Sequence, residues 1–446
     1  MNAIEARRTG MTLLARLTMG SARLRRLIRS QTRPLAGCLF VLAASAALAA
    51  GPTAPASAAR AWHRFHGPDG AGFAPGGGTP AEWNATTGKN LRWKLPLPLP
   101  GLSSPIVHGD RLFLTGANAQ TQRLFAVDRL KGTILWERTV SCQRAFAMDE
   151  IQVDLSVGHA APTPVTDGEV LVTFFASGDM AVFDMDGKPL WSRNLGKSES
   201  AFGLAASPVI GDGRIYLQYP GAGKLEVLAL DKKTGKTLWT VQPKDMEETW
   251  SSPLFIHTGE RNELVLLAGP GFWAFDPATG QERWRAAGIS GQIGPSPLFV
   301  GDTLYGVQAG NSLLAVRTGG TGDVTRTHIR WETKEGLPDT ASPASDGTRI
   351  YLAAIDQVTC YQAATGNLLW KQELTGEYYS SPVVVGDKVY ATTRQGLTYV
   401  FKAGDHYEKL GQGDVGEAVD SSPAVAGDCL YLRGEKHLFC VQGEMK

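Results

Sequence analysis

The chain has 446 residues and a formal net charge of +1, but the charge is segregated. Residues 1–58 hold eight Arg and no Lys against Glu5, a net of +7, so the remaining residues stand at 1 − 7 = −6. A mildly acidic body carries no basic footprint for nucleic acid, and that class of partner is excluded.

In chain order, the Arg-rich residues 1–33 precede an apolar run, Leu35–Ala50, with small residues at Ala47-Leu48-Ala49 and Ala56-Ser57-Ala58. This is the pattern of an export signal over residues 1–58, cleaved after Ala49 or Ala58. The apolar run is short for a stable membrane span, which needs about 20 residues; an uncleaved anchor is the alternative. Leu35-Ala36-Gly37-Cys38 spells a lipobox but precedes the apolar core instead of following it, so Cys38 reads as part of the run. Arg25-Arg26 matches a twin-Arg signal only loosely, and an ordinary basic leader explains it equally well. The mature protein is expected to be exported, periplasmic or extracellular, and monomeric.

After an N-terminal extension, residues 59–80, the rest of the chain, 81–446, is one repeat array. LEVLALDKKTGKTLW, ending at Trp239, has relatives ending at Trp136, Trp191, Trp284 and Trp370. A second phrase precedes each: Ser-Pro or Thr-Pro, a short apolar run, a Gly-Asp or Asp-Gly turn, and another apolar run. Its Ser or Thr falls at 104, 163, 207, 252, 296, 342, 381 and 422, a mean step of about 45 residues, which is the spacing of propeller blades. Each repeat reads as four short strands, with β-branched and aromatic residues between Gly- and Asp-rich turns. So small a sheet cannot bury both faces alone and must stack on its neighbours.

The expected fold is therefore an all-β, eight-bladed β-propeller of four-stranded antiparallel blades. The eighth phrase has only three strands after it, while Asn90–Leu97 offers an outer strand with Trp93 and no phrase before it. Pairing the two ends would close the ring and remove exposed edges. Outer-strand tryptophans are then 93, 136, 191, 239, 284, 331 and 370, and their recurrence in one slot marks them as inter-blade packing rather than a cofactor site.

Function must lie in the exceptions to the repeat. The step from Ser104 to Thr163 is about 15 residues too long, and the excess, residues 141–159, brings Asp149, Glu150, Asp154 and His159 toward the channel mouth; a plain surface elaboration is the alternative. Two residues before each repeat Ser or Thr lie Leu102, Ala161, Ala205, Trp250, Gly294, Thr340, Tyr379 and Asp420. With Asp339, the residues Trp250, Tyr379 and Asp420 would form a partly aromatic, partly acidic cup for a small cation or flat ring, or else a solvated funnel. No nucleophile or metal motif is present, and no catalytic residue or metal ligand is assigned. In the last hairpin a turn centred between Gly434 and Glu435 would set Cys429 opposite Cys440, within reach of a disulfide in an exported protein, or leave two buried thiols.

The segment WHRFHGPDGAG, Trp62–Gly72, resembles the N-terminal signature W-x-x-F-R-G-P-x-G-x-G of the PQQ-like β-propeller repeat proteins found in planctomycetes and related bacteria. It matches at Trp62, Phe65, Gly67, Pro68, Gly70 and Gly72 and departs at His66, where that family usually has Arg. The resemblance runs through residues 62–446 and supports the fold. More distant likenesses point two ways: to BamB-type propellers, which act by binding partners in the envelope, and to quinoprotein dehydrogenases, which hold PQQ beside Ca²⁺ with adjacent cysteines that this chain lacks. The expected function is an exported binding or scaffolding module for a protein or small ligand. A PQQ-dependent oxidoreductase is the alternative.

Overall fold

The computed structural model describes residues 62–443, apart from 148, 149, 152, 201, 222, 223 and 260. The leader, its cleavage sites, Arg25-Arg26, Cys38 and Asp149 lie outside the described residues. Among the described residues the strands form eight sheets, each with a four-stranded antiparallel core, numbered here as blades 1–8 in the order of the repeat Ser or Thr; Phe73–Ala74 and Trp83–Asn84 add to blade 7, and Gly322–Asp323 to blade 4, by parallel pairing. In seven of them the four antiparallel strands run in chain order. The eighth is composite: Ala424–Ala426, Cys429–Arg433 and His437–Gln442 are completed by Leu91–Pro96, which pairs with His437–Gln442.

Within a blade the burial pattern follows strand position. Blade 2's second strand, Val170–Phe174, is buried at every residue because neighbouring sheets cover both its faces. Blade 1's outer strand, Thr133–Thr139, alternates exposed and half-buried residues, as an edge open to solvent should. The register slips by one residue opposite each outer-strand tryptophan of blades 1–3, leaving Leu135, Leu190 and Leu238 as the extra residue. That bulge explains why these leucines are exposed.

The tryptophans staple blade to blade. Trp191 donates Nε1–H to the Lys232 carbonyl of blade 3 at 2.9 Å, and Trp239 to Pro277 of blade 4 at 3.0 Å. Trp93, Trp331 and Trp370 repeat the contact on Arg129, Ala363 and Gly404. Each ring of this type needs a flat seat. Gly235 has φ +70°, and a Cβ there would lie 2.6 Å from the Trp191 ring. Blade 7 has no outer tryptophan; the extension strand Trp83–Asn84 pairs with Lys409–Asp414 instead, and Trp83 is buried against Gly413.

The repeat hydroxyls form a closed circuit. The Ser104 amide donates to Thr163 Oγ1 at 3.0 Å and the Thr163 amide to Ser207 Oγ at 2.9 Å. The pattern continues through Ser252, Ser296, Ser342 and Ser381 to Ser422, whose amide donates to Ser104 Oγ at 3.0 Å. One polar tier thus links every blade to the next around the axis.

Below that tier the Trp62–Gly72 signature closes the channel. Carbonyls of Trp62, His63, Ala71 and Gly72 accept from amides of Val107, Thr166, Ser345 and Val384, on blades 1, 2, 6 and 7. Arg64 reaches Pro253 of blade 4 at 3.3 Å. His66, at φ 62°, spans two carbonyls, Gly70 at 3.1 Å and Pro382 at 3.0 Å. A Cβ on Gly72 would lie 2.4 Å from His66 Nε2, which accounts for the glycine.

The closing hairpin corrects one expectation. Its turn is centred between Glu435 and Lys436, one residue later than expected, with the Gly434 amide on the His437 carbonyl, so the pairs are Cys429 with Gln442 and Tyr431 with Cys440. Cys429 and Cys440 are diagonal neighbours, not opposite ones, and both are free buried thiols. They contact each other, and Cys440, donating to Cys429, is the one held protonated.

Three outcomes follow from this geometry. Gly235→Ala should destabilise the protein by about 3 kcal/mol, through strain at positive φ plus displacement of Trp191. Gly213→Ala, at φ +71° with open space around it, should lose only about 1 kcal/mol in the same urea unfolding experiment. Burial holds the His66 imidazole down to about 4, so the unfolded chain takes up a proton that the folded one refuses. Stability from this residue should be full above about pH 6.5 and fall by about 3 kcal/mol toward pH 4, with His66→Gln flattening that limb of the unfolding profile. Peptide mass mapping without reductant should recover Cys429 and Cys440 as two thiols; a linked peptide would contradict the diagonal register.

Candidate functional site

The plug leaves a blind cup of about 300 Å³ opening at the other end of the axis. Its tiers follow directly from the repeat. Phe65 of the plug lies at the floor, the hydroxyl circuit forms the lower wall, and all eight residues two before the repeat Ser or Thr form the upper wall. The circuit fixes this arrangement, because strands entering at one height present equivalent positions at one height.

The upper wall is not uniform. Blades 1–3 contribute Leu102, Ala161 and Ala205, and blade 4 contributes Trp250. Trp250 is held by Nε1–H bonds to the Gly203 carbonyl at 3.0 Å and Ser200 Oγ at 3.2 Å, with Phe202 edge-on at 5.2 Å. Blades 5–8 contribute Gln292, Asp339, Thr340, Tyr379 and Asp420. Arg394 stacks 3.9 Å over the Tyr379 ring and binds Asp420 through Nε at 2.8 Å and Nη2 at 3.3 Å, with Glu377 at 3.1 Å. Those carboxylates keep the guanidinium firmly protonated, Asp420 most of all. Asp420 therefore does not present a free charge to the cup. Asp339 is exposed and has no ion pair or side-chain hydrogen bond among the described residues.

The structure brings Trp250, Asp339, Tyr379 and Asp420 together at the mouth, and it separates them from His159. That residue is half-buried outside the cup; its carbonyl accepts from Ala176, its Nδ1 is enclosed without a partner, and burial lowers its pKa. From the insertion, Ser156 and Val157 reach the cup instead. Asp154 folds back on its own Ser156 amide, and Glu150 accepts from the Ala147 amide, so neither acid faces the site. The insertion is anchored by Arg144, which grips the fully buried Asp179 with both arms while Gln122 and Asn194 also donate to that carboxylate at 2.7 Å. It is tied to the Phe202 loop by the Asp154 amide.

Sequence reasoning missed Phe65, Phe202 and Gln292 of the cup lining, and Arg394, which holds the lining residues Tyr379 and Asp420. Phe65 was visible only as a signature letter, and Arg394 sits 26 residues from the Asp420 it binds. The hydroxyls were visible as punctuation, not as a wall.

The residues do not fit PQQ with Ca²⁺. Among the described residues no three His, Cys, Asp or Glu side chains gather closely enough to hold a metal ion. A tricarboxylate would meet Asp339, while the Arg394 guanidinium beside Asp420 is already matched by Asp420 and Glu377. No helix of the described residues is long and apolar enough to cross a membrane.

Comparison with known proteins gives a family and several partial relatives. The chain is 26% identical over 256 residues to tetrathionate hydrolase of Acidithiobacillus ferrooxidans, covering 55% of this chain and 48% of that protein. It is 33% identical over 102 residues to outer membrane protein assembly factor BamB of Xanthomonas campestris, covering 22% and 24%. The chain thus spans about half or less of these relatives' lengths. A europium-containing methanol dehydrogenase superposes with a TM-score of 0.66 at 12% identity, covering 85% of this chain and 91% of that one, a likeness of fold. The family model described as outer membrane protein assembly factor BamB matches residues 46–221, 223–336 and 322–442, and the chain belongs to that family.

Proposed function

We propose that this protein is an exported, monomeric eight-bladed propeller that works as a binding or scaffolding module through the open mouth of its axial cup. The observation that carries the reading is asymmetry: one end of the axis is sealed by the signature segment, and the other is open, differentiated and rimmed by an anchored insertion. Loops on a rigid ring vary without disturbing the blades, which suits recognition. Membership of the BamB family and the matching BamB segment support an envelope protein as partner. Residues 1–58 serve as the leader, with cleavage after Ala49 or Ala58.

The quinoprotein reading is the alternative, favoured by the fold likeness to a methanol dehydrogenase. The poor match of the cup to a metal-bound tricarboxylate weighs against it. One experiment separates the two. A photo-crosslinking amino acid at Leu155, 98% exposed on the insertion, should yield a discrete adduct in intact envelope, whereas one at Leu190 on an outer strand should not. In parallel, PQQ with Ca²⁺ should leave the melting temperature unchanged; saturation of a native-state site at 100 Kd would stabilise by about 2.7 kcal/mol. A clear PQQ shift with no rim adduct would overturn the binding-module reading.

A further inference from the structure

The hydroxyl tier has chemistry that closing the ring does not use. Each of its eight oxygens accepts one backbone amide, and none donates its own proton to another protein group among the described residues. The side chains carrying them are between 2% and 7% exposed and line the cup. Hydroxyl protons held in a concave, largely buried site need acceptors. Each oxygen also keeps a lone pair, so the tier both donates and accepts.

We infer that the cup takes a neutral polyhydroxylated ring, a saccharide unit, seated between the Trp250 wall and the polar wall with its hydroxyls meeting the buried serine tier. This assignment rests on the binding-module reading and names its ligand class. Three features select that class. The walls divide by chemistry: Leu102, Ala161, Ala205 and Trp250 run along blades 1–4, and Gln292, Asp339 and Thr340 stand among the polar groups of blades 5–8. A sugar ring divides in the same way, with an apolar C–H face and a rim of hydroxyls. The Trp250 N–H is already committed to Gly203 and Ser200, so the indole offers ring surface to the cup and is held in place before any ligand arrives.

Charge removes the competing classes. A polyanion meets the carboxylate of Asp339, while Arg394 is matched by Asp420 and Glu377, and Arg433, behind the wall, is committed to Ser103 and Thr115. A bare cation would leave the hydroxyl protons without acceptors. A volume of about 300 Å³ suits a small molecule and far exceeds one ion. Carboxylates such as Asp339 accept strongly from hydroxyl groups, which gives the polar wall a means of orienting the ring.

The test uses the purified mature protein. Glucose, N-acetylglucosamine, cellobiose and N,N′-diacetylchitobiose are titrated by calorimetry and by tryptophan fluorescence, with citrate as the anionic comparator and a glycan array as the wider panel. At least one saccharide should bind saturably and change tryptophan emission. Trp250→Ala should weaken that binding about tenfold or more. Asp339→Asn, at an exposed position, should weaken it with no change in melting temperature, and Leu190→Ala should leave it unaltered. The assignment fails if the sugars and array are silent, if binding is indifferent to both cup substitutions, or if citrate alone binds. Should the sugars fail while the Leu155 crosslink still forms, only the saccharide assignment falls; loss of both removes the binding-module reading as well.

Discussion

The structure depends on the amide-to-hydroxyl circuit that runs from Ser104 through seven other blades and returns from Ser422. A buried hydrogen bond of this kind contributes about 1 kcal/mol net, and leaving one partner unsatisfied costs more than that. The circuit therefore acts less as glue than as a gauge. It sets every innermost strand at the same height and rotation, so a residue's offset from its Ser or Thr fixes its level on the axis. Residues two before it form the mouth, and residues three after it meet the plug. A channel through eight sheets becomes a cup with one floor and one rim.

The outer circumference is governed by a different contact, tryptophan on glycine. Trp191 against Gly235 and Trp239 against Gly280 place a large apolar ring over a turn that can have no side chain. The donated indole N–H then fixes the ring to the next blade's carbonyl. Inner and outer restraints act at different radii and on different atoms, so a blade satisfying both has little rotational freedom left. Blade 7, without the tryptophan, recovers the same cover from the extension strand carrying Trp83.

Much of this was legible in the sequence because it repeats. The Ser or Thr positions, the tryptophan slot, the pairing of Leu91–Pro96 with the last hairpin and the eight mouth residues all follow from counting along one phrase. What was not legible lies outside the phrase. The acids of the insertion read as site residues, but short local hydrogen bonds turn Asp154 and Glu150 back on their own loop. Arg394 disappears into an ordinary strand end, yet it settles the charge of Asp420. The cysteine register failed because the turn is centred between Glu435 and Lys436, one residue later than expected, and that shift moves every cross-strand partner by two residues. The signature segment gave no hint that its carbonyls would reach four blades, since backbone acceptors leave no mark on composition.

The composite eighth blade also orders the protein's assembly in time. Its outer strand belongs to one end of the chain and its inner three to the other; Arg92 and Gln442, which bond across it, are 350 residues apart. Contacts so distant in sequence form late, after the intervening blades have stacked. A chain delivered with its N-terminal end first holds the Trp93 strand ready from the start, with no strand to pair until the final hairpin emerges. Until then the growing array has two unmatched sheet faces, and a second molecule in the same state presents complementary ones. Latching of the two ends is thus the event that turns an open, associating curve of sheets into a self-contained ring.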